Sequence, residues 1–218
     1  MTTNLTRRAA VAGALSLPVA LSAFAAQADE ALKAKGYVVG DVVIGNPDAK
    51  VEVIEYASLT CPHCAGFHER VFRQFKADYI DTGKVKFITR EVYFDKFGLW
   101  GGMIARCGGE DRYQTTIDNF LLNQRAWYLD HTDAYRATQN VKPILDEMFK
   151  IGRRAGLSDD RMTECLSDND LLENLVGDFQ NYMEESGVTG TPTLFVNGQR
   201  IDTPRSANEL ASHVEPLL

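Results

Sequence analysis

Apolar and polar residues alternate over "VEVIEYA", residues 51 to 57, which predicts a strand carrying Val51, Val53 and Glu55 on one face. The period then changes. Cys64, Phe67, Val71, Phe75 and Tyr79 fall at steps of three and four, the spacing of one helical face, and this helix is expected to begin at Cys61. "KVKFITREV" predicts a second strand from about Lys84 to Val92, and "YVVGDVVIGNP" predicts an earlier edge strand or hairpin that turns at Asn46, Pro47 and Asp48. Near the C-terminus, "TLFV" and "QRI" flank Asn197-Gly198, a two-residue hairpin signal. Ser206 and Glu209 have capping-box spacing and predict a closing helix.

Between Tyr93 and Val188 strand-like alternation gives way to helical spacing, in "DNFLLNQRAWYL", "VKPILDEMFKIGRRAGL" and "LLENLVGDFQNYMEESG". "GGED" at 108 to 111 marks a helix stop and implies no phosphate loop. Phe120, Trp127 and Tyr128 are expected in the core rather than at a cofactor. The order is therefore strand, helix, strand, helical block, strand, strand, helix, which is an α/β domain with an all-helical insertion.

The first 28 residues follow another pattern. "MTTNLTRR" is short and basic, "AAVAGALSLPVALSAFAA" is apolar and small, and "AQA" has small residues at cleavage-site spacing, so an export signal ending before Asp29 is expected. The alternative is a membrane anchor, but Gly13, Pro18 and the many alanines leave the run weakly hydrophobic. The bulky apolar residues that usually follow a twin arginine are missing after Arg7 and Arg8. Losing these two arginines takes the net charge from −7 to −9, which speaks against nucleic acid and other polyanions as partners. Export also bears on the four cysteines, because an even count outside the cytoplasm favours disulfide chemistry.

"CPHC", residues 61 to 64, taken bare, suits a redox pair or half a zinc site about equally and a small structural disulfide less well. Its position favours the third use. With Cys61 at the N-cap and Pro62 at the first helical position, free backbone N–H groups and the positive helix end stabilise a Cys61 thiolate. Cys61 is then the nucleophile. Cys64, in register with Phe67 and Val71, faces inward as the resolving cysteine. His63 adds a dipole or charge beside the Cys61 sulfur. His68, His131 and His213 share no metal-ligand spacing with the cysteines and are expected at the surface or in packing.

On "CPHC", "VEVIEYAS", "GVTGTPTLFVNG" and the insertion between them, residues 38 to 218 resemble the DsbA family of exported thiol oxidoreductases, built on the thioredoxin fold. The resemblance implies a thioredoxin domain in two parts, 29–93 and 188–218, around a helical insertion, 94–187. It implies a cis peptide before Pro192, with Thr191 and Pro192 lying against the cysteines and pairing with an extended substrate. It also implies that Glu55 sits beneath the site and moves protons to or from Cys64, the alternative being a glutamate exposed at a strand edge. Cys107 and Cys165, left over in an oxidising compartment, are expected to pair, as in some DsbA-like proteins; two buried free thiols are the alternative.

The function this resemblance implies is a periplasmic dithiol oxidase. It gives the Cys61–Cys64 disulfide to newly exported chains, uses no other cofactor or metal, and is reoxidised by a quinone-linked membrane partner. An isomerase or reductase with the same cysteines is the nearest alternative, and Thr191 leans that way. Against it, about ten residues separate the expected mature start from the first strand, too few for a dimerisation domain. A non-catalytic zinc or structural-disulfide module is the alternative of another class.

Overall fold

The computed structural model describes residues 17–218. Most of the expected signal segment, residues 1–16, lies outside them. The described part opens with α1 (Leu17–Ala34), which runs unbroken through the expected cleavage point. Its last turns belong to the fold. Leu32 is buried with Tyr37, Met103, Leu171 and Leu175, and Asn174 Nδ2 donates to Asp29 Oδ1 at 3.1 Å. Among the described residues no helix is long and apolar enough to cross a membrane.

Five strands form one mixed sheet: β1 (Val43–Gly45), β2 (Val51–Ala57), β3 (Val85–Glu91), β4 (Thr193–Val196) and β5 (Gln199–Ile201), in the order β1-β3-β2-β4-β5. β2 and β3 run parallel, Val51 opposite Val85, and the other pairs are antiparallel. A parallel pair needs a crossover. It is the continuous helical run 62–80: α2 (Pro62–Phe67), a π turn His68–Phe72, α3 (Arg73–Phe75) and a second π turn Lys76–Ile80. Asn197 and Gly198 both have positive φ, 46° and 77°, as the tight β4–β5 hairpin requires.

From α4 to α10 the chain is helical: α4 (Lys96–Cys107), α5 (Glu110–Leu122), α6 (Gln124–Trp127), α7 (Thr132–Thr138), α8 (Lys142–Arg154), α9 (Asp159–Leu166) and α10 (Asn169–Ser186). Gly108 closes α4, and Gly109, at φ 80°, opens α5. α11 (Ala207–Val214) ends the fold. Its capping box forms one residue out of step: Ser206 Oγ accepts from Glu209 N, while Glu209 Oε2 reaches back to Arg205 N rather than Ser206 N.

One core lies between the sheet and the crossover, where Val51, Val53, Val85 and Phe87 meet Phe67, Val71, Phe72 and Phe75. A second fills the helical block around Ile104, Ile117, Phe120, Trp127 and Met148. Cys64 belongs to the second although its helix covers the first. The cysteine pair therefore stands at the seam between the two.

Candidate active site

β2 brings the chain to the seam and a short turn redirects it into α2. Cys61 N donates to Ser58 O at 3.1 Å, and the Ser58 and Thr60 hydroxyls lie 3.2 Å apart. Two contacts from the helical block hold the turn. Gln124 Nε2, buried, donates to Leu59 O at 2.7 Å and to Cys61 O at 3.0 Å. Thr60 Oγ1 donates to Asp95 Oδ2 at 2.7 Å, while Asp95 Oδ1 caps α4 by accepting from Phe97 N and Gly98 N.

Cys61 is the N-cap of α2, in extended backbone (φ −85°, ψ 117°), with Pro62 in the first helical turn. Its Sγ donates to Thr191 O at 3.4 Å, and the Thr191–Pro192 peptide is cis. Both cysteines are reduced here, Cys61 partly exposed and Cys64 fully buried. The hydrogen bond from the Cys64 thiol, aided by Thr191 and the backbone N–H groups of Cys64 and His63, lowers Cys61 to about 5 against the opposing effect of burial. Burial, the Cys61 sulfur and the Glu55 charge push Cys64 far up instead. One thiol is prepared to ionise and its neighbour to keep its proton.

His63 contributes its backbone N–H to this arrangement; its side chain is exposed. Glu55 is fully buried on β2, so the exposed strand-edge alternative fails. Its Oε2 lies 2.8 Å from His68 Nε2, while Oε1 has no hydrogen-bond partner. His68 corrects a plain packing role: it is buried, and its Nδ1 lies 3.1 Å from Asp118 Oδ1. Burial alone would lower its pKa, but Glu55 and Asp118 raise it to about 9. Thr191 Oγ1 is likewise buried without a partner. Cys107 and Cys165 are joined away from this site, with Cα atoms 6.2 Å apart.

Sequence reading missed His68, Asp118, Gln124 and Asp95. His68 had a signal, since it lies on the stripe Cys64, Phe67, His68, Val71, Phe72. The other three come from distant helices and had none. No group of three or more His, Cys, Asp or Glu side chains that could hold a metal is found among the described residues.

The sequence profile of the family described as Thioredoxin matches residues 38–216. A Rickettsia bellii protein with the provisional name protein-disulfide oxidoreductase is 31% identical over 178 residues, 82% of this chain and 64% of the relative. Several Rickettsia relatives are longer still, and the chain spans 53% of one from Rickettsia conorii. Disulfide bond formation protein D of Bacillus subtilis is 24% identical over 88% of this chain and 83% of its own length. Among solved structures, alpha-DsbA1 of Wolbachia pipientis superposes with a TM-score of 0.72 at 26% identity, covering 83% of this chain and 92% of that one.

Proposed function

The chain belongs to the DsbA-like family of thioredoxin-fold disulfide oxidoreductases, and from that premise we propose that it donates a Cys61–Cys64 disulfide to cysteine-containing proteins. The observation that carries this reading is the asymmetry of the pair: Cys61 lowered to about 5 at a helix start, beside a buried Cys64 held as the thiol. A substrate thiolate attacks Cys61 Sγ, the Cys61–Cys64 bond breaks, and its electron pair leaves on Cys64. The substrate's second thiolate then attacks the sulfur joined to Cys61. Cys61 departs as a stable thiolate, which makes the exchange run toward oxidised substrate.

Pro62 presets the first helical turn, and His63 supplies a backbone N–H and an imidazole near the sulfur. Thr191 and Pro192 line the approach to Cys61, with the Thr191 backbone meeting an extended substrate. Glu55 exchanges a proton with Cys64. In this reading the segments 29–93 and 188–218 are the thioredoxin domain, 94–187 is the insertion, and residues 1–28 direct export to the periplasm. The substrates are newly exported chains, and a quinone-linked membrane oxidase takes the two electrons. The family resemblance supports these assignments.

Equilibration with glutathione buffers, followed by alkylation and mass mapping, tests the reading. Cys61 and Cys64 are expected to cycle together, with a potential more oxidising than glutathione. Failure of the pair to exchange, or tightly bound zinc in the native protein, would overturn it. Efficient reshuffling of a scrambled substrate with weak oxidation would favour the isomerase alternative, toward which Thr191 leans.

A further inference from the structure

Cys64 is fully buried, so water does not reach its sulfur, yet each donation leaves an electron pair there. Glu55, whose charge bears on that thiol, is hydrogen-bonded to His68, and His68 to Asp118, in a line that ends at the surface. Glu55 and His68 are 0% and 1% exposed, whereas the Asp118 side chain is 24% exposed. Phe67 and Phe72 pack on the His68 ring, with centroids 5.8 and 4.5 Å away. Gln114 Nε2 donates to Asp118 Oδ1 at 2.9 Å and Gln114 Oε1 accepts from Thr89 Oγ1 at 3.3 Å, which fixes the carboxylate against the ring.

A neutral imidazole has one N–H, but here each ring nitrogen faces a carboxylate, Glu55 at 2.8 Å and Asp118 at 3.1 Å. The ring is therefore held as the imidazolium. The polar groups around it are Glu55 from β2 and Asp118 from α5, with Gln114 of α5 and Thr89 of β3 behind Asp118. Glu55 Oε1, buried and without a partner, is the one acceptor the cluster leaves open.

Resting on the exchange reaction proposed above, we infer that Glu55, His68 and Asp118 form a conduit that lends one proton to Cys64 Sγ when the disulfide is cleaved, with His68 as the positioning residue that stores this proton on Nε2 and Asp118 holding the second ring proton at Nδ1. When the Cys61–Cys64 bond breaks, a proton passes from His68 Nε2 to Glu55 and from Glu55 to the Cys64 thiolate. The ring is left neutral, its remaining proton on Nδ1 against Asp118. The net change is one proton from His68 to sulfur, and no electrons enter the conduit. Reoxidation reverses each transfer.

The test follows the fluorescence of Trp100 and Trp127 while oxidised protein reacts with glutathione, and reduced protein with glutathione disulfide, in H2O and D2O across about pH 5 to 10. Asp118→Asn, at a partly exposed position, and His68→Gln are expected to slow cleavage and closure of the Cys61–Cys64 bond at least about tenfold. The solvent isotope effect should grow, while alkylation of Cys61 in the reduced protein stays at the wild-type rate. Asp118→Glu should restore the rate. Wild-type rates and isotope effects in Asp118→Asn overturn the conduit, and that variant decides alone if His68→Gln does not fold. A wild-type protein that exchanges with neither reagent would instead overturn the underlying redox reading.

Discussion

At Cys61 the sulfur meets a helix start on one side and the Thr191 carbonyl on the other, while Cys64, one turn on, is fully buried. Ultraviolet thiolate absorbance of the reduced protein should titrate with a midpoint near 5. His63→Ser keeps the peptide N–H and removes only the imidazole. It is expected to raise this midpoint by about one unit, which weakens the reduced form by about 1.4 kcal/mol and lowers the potential by about 30 mV. An unchanged midpoint and potential would leave the backbone N–H groups to set the poise. A second prediction concerns pH. The Cys61 pKa is depressed from an ordinary 9.0, so its contribution is fully present above 9 and lost as pH falls through about 5. It exists only in the reduced form. His68 is raised from 6.5 to about 9, so in both redox forms its contribution is complete below 6.5 and lost as pH rises through 9. Urea unfolding should show the oxidised form weakening between pH 6.5 and 9, and the reduced form gaining on it from pH 5 to 9.

The crossover run 62–80 shows how an element departs from its own pattern. Its stripe of apolar residues was legible, but the two π turns that interrupt it were not, because hydrophobic spacing does not distinguish them from α turns. At the end of α4, Cys107 is joined to Cys165 of α9 across 58 residues, amid Leu32, Met103 and Leu171. In the chain-entropy model such a loop stabilises by about 4 kcal/mol. Replacing both cysteines with alanine is expected to lower the urea midpoint by an amount worth about 2 to 4 kcal/mol. The Cys61 midpoint should not move, since the bridge lies away from the active helix. Labelling of Cys107 or Cys165 in native protein without reductant would refute the bridge.

At the scale of the molecule, Arg106 fastens three parts together. Its Nε and Nη2 grip Glu91 at 2.9 and 2.6 Å, and its Nη1 donates to Gly40 O at 2.8 Å, so that α4, β3 and the segment before β1 share one buried charge pair. Arg106→Met would strand the Glu91 carboxylate in a site 2% exposed and is expected to cost about 3 to 5 kcal/mol, read as a fall in the urea midpoint. The Cys61 titration should be unaffected. A loss below about 1 kcal/mol would mean that Glu91 takes up a proton or finds water.

The strands, the crossover helix, the hairpin at Asn197-Gly198 and the cysteine pair at a helix start are legible in the sequence, because each depends on periodicity or on neighbours a few residues away. The sequence also puts Glu55 on the same strand face as Val51 and Val53. The burial of Glu55 against His68, the reach of Asp118 to the same ring from 50 residues on, and the hold of Gln124 and Asp95 on the turn before Cys61 arise from packing between distant elements. These contacts join β2, the turn before Cys61 and the crossover run to the helical block. Hydrogen bonds between elements far apart in the chain leave no local period, and a polar residue reads as solvent-facing until a second element closes over it.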